Sequence, residues 1–252
     1  MTIRSLYNKL SFLYPESLRC EWDNDGIMCC ADLDRDIKNV LIALDVTMHV
    51  VDYAIDNNYD LIISHHPLVF SAQKALTPEK YTQNKLIKLI KNDISVFSFH
   101  TRLDACQGGV NDVLCELIGL TQVEIDADEP VGRIGRLSYK TDISTFAENV
   151  KSSINTPFVL YNGDKMVERV YVVGGDGKDL ISRVISLGAD TLLTGRASYN
   201  TIIDAKDMGL NIVEAGHFFT ENPVCIKIKN DILSIDNSIK ADIFCSYQSK
   251  NI

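Results

Sequence analysis

Five histidines occur in the chain, and four of them stand just after short apolar runs: His65 and His66 after DLIIS, His100 after SVFSF, and His217 after NIVEAG. Imidazole nitrogen and carboxylate oxygen together suit zinc, iron or manganese, and mixed sets of this kind leave coordination positions open for water. On a regular strand the neighbours His65 and His66 would point to opposite faces. At a strand terminus just before Pro67 they can instead reach two metals about 3.5 to 4 Å apart. His217 and Glu221 are four residues apart in GHFFTE, so a helix starting there puts both on one face as a two-ligand clip. Asp104 in HTRLD follows another buried run, where a carboxylate can bind or bridge metals, and Gly108 and Gly109 let the backbone approach it.

Each motif also has a plainer reading. HHP alone fits a turn with two hydrogen-bonded histidines, and GHFFTE alone fits a helix start with Glu221 near the positive end of the helix dipole. His100, beside Thr101, is expected to orient a ligand rather than to be one. His49, flanked by Met48 and Val50 on an expected helix, is read as structural.

The elements that must position these residues follow from hydrophobic spacing. Ile3, Leu6, Leu10 and Leu13 form one face of an amphipathic helix ended by Pro15. From about residue 38 short apolar runs alternate with helical stretches: NVLIALD, a helix through Val50 and Ala54, YDLIISHHP, a helix from Pro78 to Lys91, ISVFSFHTRLD, and a helix in GVNDVLCELIGL. The segment 121–135 is polar, contains Pro130 and two glycines, and interrupts that rhythm, so the expected boundary divides residues 1–125 from 126–252. Beyond it come a strand near Leu137, a helix near Phe146, the strand–turn–helix–strand of RVYVVGGDGKDLISRVISLGADTLLTG, a helix from Tyr199 to Asp207, the strand NIVEA and a last strand near Ile243. The fold class is α/β, with two related halves of mostly parallel or mixed sheets. Such sheets bind ligands beyond the carboxyl ends of their strands, where the histidines fall.

Composition narrows the function further. The 252 residues are 46% hydrophobic and 23% charged, and no run approaches the roughly 20 apolar residues of a membrane span. No secretory leader is evident before Pro15, so a cytoplasmic address is expected. A net charge of −9 opposes extended contact with a nucleic-acid backbone and favours a small-molecule substrate. The seven cysteines are odd in number, scattered and without a CxxC pair, which reads as reduced core residues rather than a disulfide framework or a thiolate zinc cluster. GGDGKD, Gly174 to Asp179, is read either as a phosphate-receiving loop with Lys178 or as a tight strand-to-helix turn; it lacks P-loop spacing. Arg196, next to Gly195, is a candidate contact for a phosphate or another acidic group.

Six blocks, WDNDG, SHHPLVF, HTRLDACQGGVND, VGGDG, LLTGRASYN and EAGHFFTEN, resemble in the same order those of the NIF-three-like family, known as GTP cyclohydrolase 1 type 2. The resemblance runs from end to end. It implies two α/β halves with a dinuclear metal centre in the cleft between them, often a ring-shaped homohexamer, and ligands at His65, His66, Asp104, His217 and Glu221. It also implies conversion of GTP to dihydroneopterin triphosphate and formate by attack of a metal-bound hydroxide on purine C8, with Glu221 moving protons. Hydrolysis of another nucleotide or a phosphate ester, or a metal-binding interaction or regulatory role, are the alternatives. Arg102, Arg196 and Asn200 depart from residues common in the family, and no stretch is long enough for the third domain that some relatives insert.

Overall fold

The computed structural model of the chain describes residues 1–177 and 180–247. The chain begins with α1 (Ile3–Leu13), followed by β1 (Gly26–Cys29), β2 (Asn39–Ala43), α2 (Met48–Asp56), β3 (Leu61–Ser64), α3 (Tyr81–Lys91), β4 (Ser95–Ser98) and the short α4 (Thr101–Ala105). Next come α5 (Val110–Leu117), β5 (Thr121–Ile125), β6 (Arg133–Thr141), α6 (Ile143–Ser153), β7 (Leu160–Asn162), β8 (Val167–Asp176) and α7 (Ile181–Ser186). The remainder is β9 (Thr191–Arg196), α8 (Tyr199–Asp207), β10 (Asn211–Glu214), α9 (His217–Glu221), α10 (Val224–Ile235) and β11 (Lys240–Ile243).

The chain forms two compact units. The first comprises Met1–Cys106 and the segment beginning at Cys225; the second spans Gln107–Val224. In the first, five strands are ordered β1-β4-β3-β2-β11, with β1 antiparallel to β4 and the others parallel. Every residue of β3 and β4 is buried, as expected of strands covered on both faces. α1 starts where the Thr2 hydroxyl accepts from the Ser5 amide, and it buries the Ile3, Leu6 and Leu10 stripe. Burial of such side chains contributes roughly 1.5–3 kcal/mol each. α2 and α3 place Val50, Val51, Ala54 and Leu89 in the same apolar cluster as Leu41, Ile62 and Val96 of the sheet. The Tyr14 hydroxyl, just after α1, donates to Asp231 on α10.

In the second unit six strands are ordered β5-β6-β8-β9-β10-β7; β8, β9 and β10 run parallel, and the others pair antiparallel. One apolar cluster joins α5 and α6 to the sheet through Leu114, Phe146, Val150, Val170, Leu193 and Val213. A second contains Val184, Ala205, Tyr171, Leu192 and Ile212. Arg133, fully buried at the start of β6, makes a forked pair with Asp112 on α5 through bonds of 2.7 and 3.2 Å.

The units do not divide as sequence order suggests. A cut between 125 and 126 falls inside the β5–β6 hairpin, where Ile125 pairs with Arg133. The polar stretch 121–135 that breaks the βαβ rhythm is β5, the hairpin turn and the first residues of β6. The last strand, β11, pairs in parallel with β2, from Lys240 opposite Asn39 to Ile243 opposite Ile42, so the C-terminal segment completes the first sheet.

Candidate metal centre

In the first unit the candidate donors stand at the carboxyl ends of adjacent parallel strands. Asp45 follows β2, His65 and His66 follow β3, and His100 follows β4. Leaving the strand at Pro67 lets both adjacent rings turn to the same side: their centroids are 5.0 Å apart, and that of His100 lies 5.3 Å from His65 and 5.8 Å from His66. Each of the three offers one nitrogen, and the three nitrogens lie within 4.8 Å of one another. His100 thus belongs to the histidine group itself.

Each ring is held by its Nδ1. His65 donates from Nδ1 to the Phe99 carbonyl at 3.0 Å, because a carbonyl can only accept. His66 Nδ1 lies 2.7 Å from Asp45 Oδ1, and His100 Nδ1 lies 2.8 Å from Asp23 Oδ1. An acceptor at Nδ1 fixes the tautomer in which Nε2 keeps its lone pair, the arrangement of metal-binding histidines. The Nε2 of fully buried His65 lies 3.6 Å from Asp104 Oδ1 on α4. Two electron-rich atoms at this separation fit a shared cation. The donor set is therefore chemically suited to divalent metal.

The loop WDNDG braces these residues. Asp23 accepts from the Thr101 amide at 3.0 Å and its hydroxyl at 2.6 Å, as well as from His100. Burial works to raise the Asp23 carboxyl, but the hydrogen bonds from His100 and Thr101 outweigh it and hold it down at about 2. Thr101, almost fully buried, is an anchor for Asp23. Arg102 is fully buried; its Nε donates to Asp25 at 2.9 Å, and its guanidinium lies 4.7 Å over the Phe99 ring. It is part of the scaffold. Beside His66 a cavity of about 220 Å³ is lined by Asp45, Thr47 and Lys85 among others. The Lys85 ammonium donates to the Val46 carbonyl at 2.7 Å.

In the second unit α9 begins at His217, and its one-turn geometry brings His217 Nε2 to 3.0 Å from Glu221 Oε2. Glu221 is buried, whereas His217 is half-exposed. Three glycines make room for this clip. A Cβ on Gly175 would lie 2.3 Å from Glu221 Oε1, one on Gly174 would lie 3.2 Å from Glu221 Cγ, and one on Gly195 would lie 2.8 Å from His217 Cα. Asn111 accepts from the Gly174 amide at 2.6 Å, and Thr220 accepts from the Gly175 amide at 3.2 Å.

VGGDG is consequently strand as well as turn: β8 continues through Gly174 and Gly175 to Asp176, which pairs with Arg196. Lys178 lies outside the described residues. Arg196 is exposed at the end of β9, Asn200 is exposed on α8, and His49 is exposed on α2. Sequence reasoning missed Asp23, Asp25, Asp45 and Asn111 as supports. Acidic residues placed immediately beside strand ends, as in ALD and WDND, were the available signal.

Among the described residues there is no disulfide, and no helix is long and apolar enough to cross a membrane. A family model described as Duf34/NIF3 (NGG1p interacting factor 3) matches residues 1–252. A Clostridium perfringens protein named GTP cyclohydrolase 1 type 2 homolog is 33% identical over 92% of this chain and 91% of its own. One of the same name from Methanocaldococcus jannaschii is 30% identical over 88% and 90%. The solved structure of reduced HcgD from M. jannaschii superposes with a TM-score of 0.85 at 30% identity, covering 96% of this chain and 97% of that one. A Bacillus cereus protein related to NIF3 has the same fold, with a TM-score of 0.88 at 24% identity over 100% and 98% of the two chains.

Proposed function

This chain belongs to the Duf34/NIF3 family, and from that premise we propose that it is a metal-dependent hydrolase with GTP cyclohydrolase 1 type 2 activity, using two divalent cations. The proposed ligands are His65, His66, Asp104, His217 and Glu221, with His100 a further imidazole of the same group. The observation that carries the reading is the trio of histidines with ring nitrogens within 4.8 Å, each anchored through Nδ1. Zinc, iron and manganese all suit such donors. When bound, a metal pair supplies an acidified water and polarises the bond to be cleaved.

The chain's own groups supply the remaining work. The Phe99 carbonyl, Asp45 and Asp23 hold the three rings in one tautomer, so no reorientation is needed during reaction. Glu221, buried and beside His217, is the proposed proton carrier: its carboxylate accepts a proton from water and returns it to the ring nitrogen released when the C8–N9 bond opens. A second water then releases C8 as formate, and the remainder rearranges at its sugar and closes a new ring with loss of one water, giving dihydroneopterin triphosphate. Arg196 is a proposed phosphate contact, being a cation exposed at a strand end. A ring-shaped homohexamer in the cytoplasm completes the proposal.

The test is incubation of metal-loaded protein with GTP, reading formate and pterin fluorescence. Both products are expected, and Glu221→Ala is expected to lower their rate at least 100-fold, within the range of a general acid–base contribution of roughly 10²–10⁴. No product above that variant overturns the GTP reading. Metal-dependent change in assembly without turnover of any nucleotide or phosphate ester favours the interaction role instead.

A further inference from the structure

Trp22 and Phe70 are 65% and 53% exposed, yet they stand together, with ring centroids 6.2 Å apart. Both set their rings nearly perpendicular to His100, at centroid distances of 6.2 and 6.5 Å and interplanar angles of 80° and 89°. An aromatic pair facing solvent gains nothing for the core of the fold, and here it borders one of the three clustered imidazoles.

The pair is held in place from both sides. Trp22 precedes Asp23, which is buried and bonded to His100 and Thr101. Phe70 lies two residues beyond buried Leu68, and the Asn24 side-chain amide donates to the Val69 carbonyl, tying one loop to the other. The surroundings are polar: Glu21 and Asn24 flank Trp22, and Ser71, Gln73 and Lys74 follow Phe70, all exposed. Two rings in such a setting are far smaller than the roughly 800 Å² that each partner contributes to a stable protein interface. Their planes are tilted by 54°, so one ring can stack on the face of a single planar ring system while the other borders it, and the polar edge of that ring system remains available to other groups.

We propose that Trp22 and Phe70 form a stacking platform for a planar nitrogen heterocycle, of purine or pterin type, beside the histidine group. The substrate is then selected by its ring as well as by any phosphate. This deepens the hydrolase reading and rests on it for the role of the histidines, but binding to the platform can be measured without metal or turnover.

Trp22 is the chain's single tryptophan, so its emission reports the platform directly. Metal-free full-length protein is titrated with guanosine, adenosine and 6-methylpterin, and with ribose 5-phosphate as the probe lacking a heterocycle. Saturable quenching by at least one heterocycle and none by ribose 5-phosphate is expected. Phe70→Ala should weaken that binding about 5- to 150-fold, the range for loss of one base–aromatic stack, with an unchanged circular dichroism spectrum. Failure of all three heterocycles, equal quenching by ribose 5-phosphate, or unchanged affinity in Phe70→Ala overturns the platform. So does Trp22 emission already shielded from acrylamide in the ligand-free protein, because another protein surface then covers it. Heterocycle binding without GTP turnover keeps the platform and removes the cyclohydrolase reading; GTP turnover with no Trp22 response does the reverse.

Discussion

At the scale of single residues, the histidines are defined by what holds their far side. An imidazole on a surface samples both tautomers and several rotamers, whereas His66 is fixed by a 2.7 Å bond to Asp45. Asp45 also accepts from the Ser246 hydroxyl at 3.2 Å, so its carboxylate is itself positioned. Asp45→Asn removes the charge from the acceptor while conserving its shape. Metal affinity, measured by calorimetric titration of stripped protein, should fall about 10- to 100-fold, the usual cost of losing such a support. The melting temperature of the metal-free variant should change little, because Asp45 is partly exposed. Unaltered affinity would mean that His66 is not a ligand. The candidate donors and the places of the histidines at strand ends were legible in the sequence, since apolar runs ending in His or Asp mark them. Their supports were not: Asp23 and His100 are 77 residues apart, and no local periodicity connects them.

At the scale of elements, the second unit illustrates how a strand can be shaped by the helix it must receive. β8 carries Gly174 and Gly175 at the level of α9, and the space left by the missing Cβ atoms is filled by Glu221. Sequence spacing identified a glycine turn and a one-face His–Glu helix separately, but only tertiary packing reveals that the former makes room for the latter. Gly175 has φ +66, as Gly119 has φ +75, yet a Cβ on Gly119 meets nothing within 4 Å. Alanine at either position pays a left-handed backbone cost of roughly 1–2 kcal/mol, or about 2–8 °C in melting temperature for a chain of this size. Only Gly175→Ala also pushes on Glu221. Gly175→Ala is therefore expected to lose metal affinity or turnover at least tenfold, and Gly119→Ala to keep both, at similar losses of thermal stability. Equal behaviour of the two variants in metal binding would remove Glu221 from the ligand set.

At the scale of the whole molecule, the α/β class and the sequence of most elements were legible because buried parallel strands read as continuous apolar runs. The unit boundaries were not, because β11 returns to β2 from 201 residues away along the chain at its first pair, Lys240 with Asn39, and such a pairing leaves no local pattern. The stability of the folded chain also depends on long-range charge pairs. Asp126, buried just beyond β5, accepts from Arg183 Nε at 2.9 Å and from the Tyr171 hydroxyl at 2.9 Å. The Arg183 guanidinium, opposed by burial and aided by Tyr171, holds the Asp126 carboxyl at about 2, against an ordinary value of 3.8. A carboxyl depressed on folding contributes stability that is complete above its unfolded value and is lost as pH falls toward its folded value. For Asp126 that contribution is about 2 kcal/mol, disappearing between about pH 4 and pH 2. Denaturant unfolding of metal-stripped protein should therefore weaken across that window. Asp126→Asn should be less stable by about 2 kcal/mol near neutral pH and should lose correspondingly less on acidification, since it has no proton to take up. The metal-stripped form is the one to measure, because ligand protonation also releases bound metal in acid and would add its own slope. Parallel acid profiles for the two proteins would show that the Asp126–Arg183 pair does not stabilise the fold.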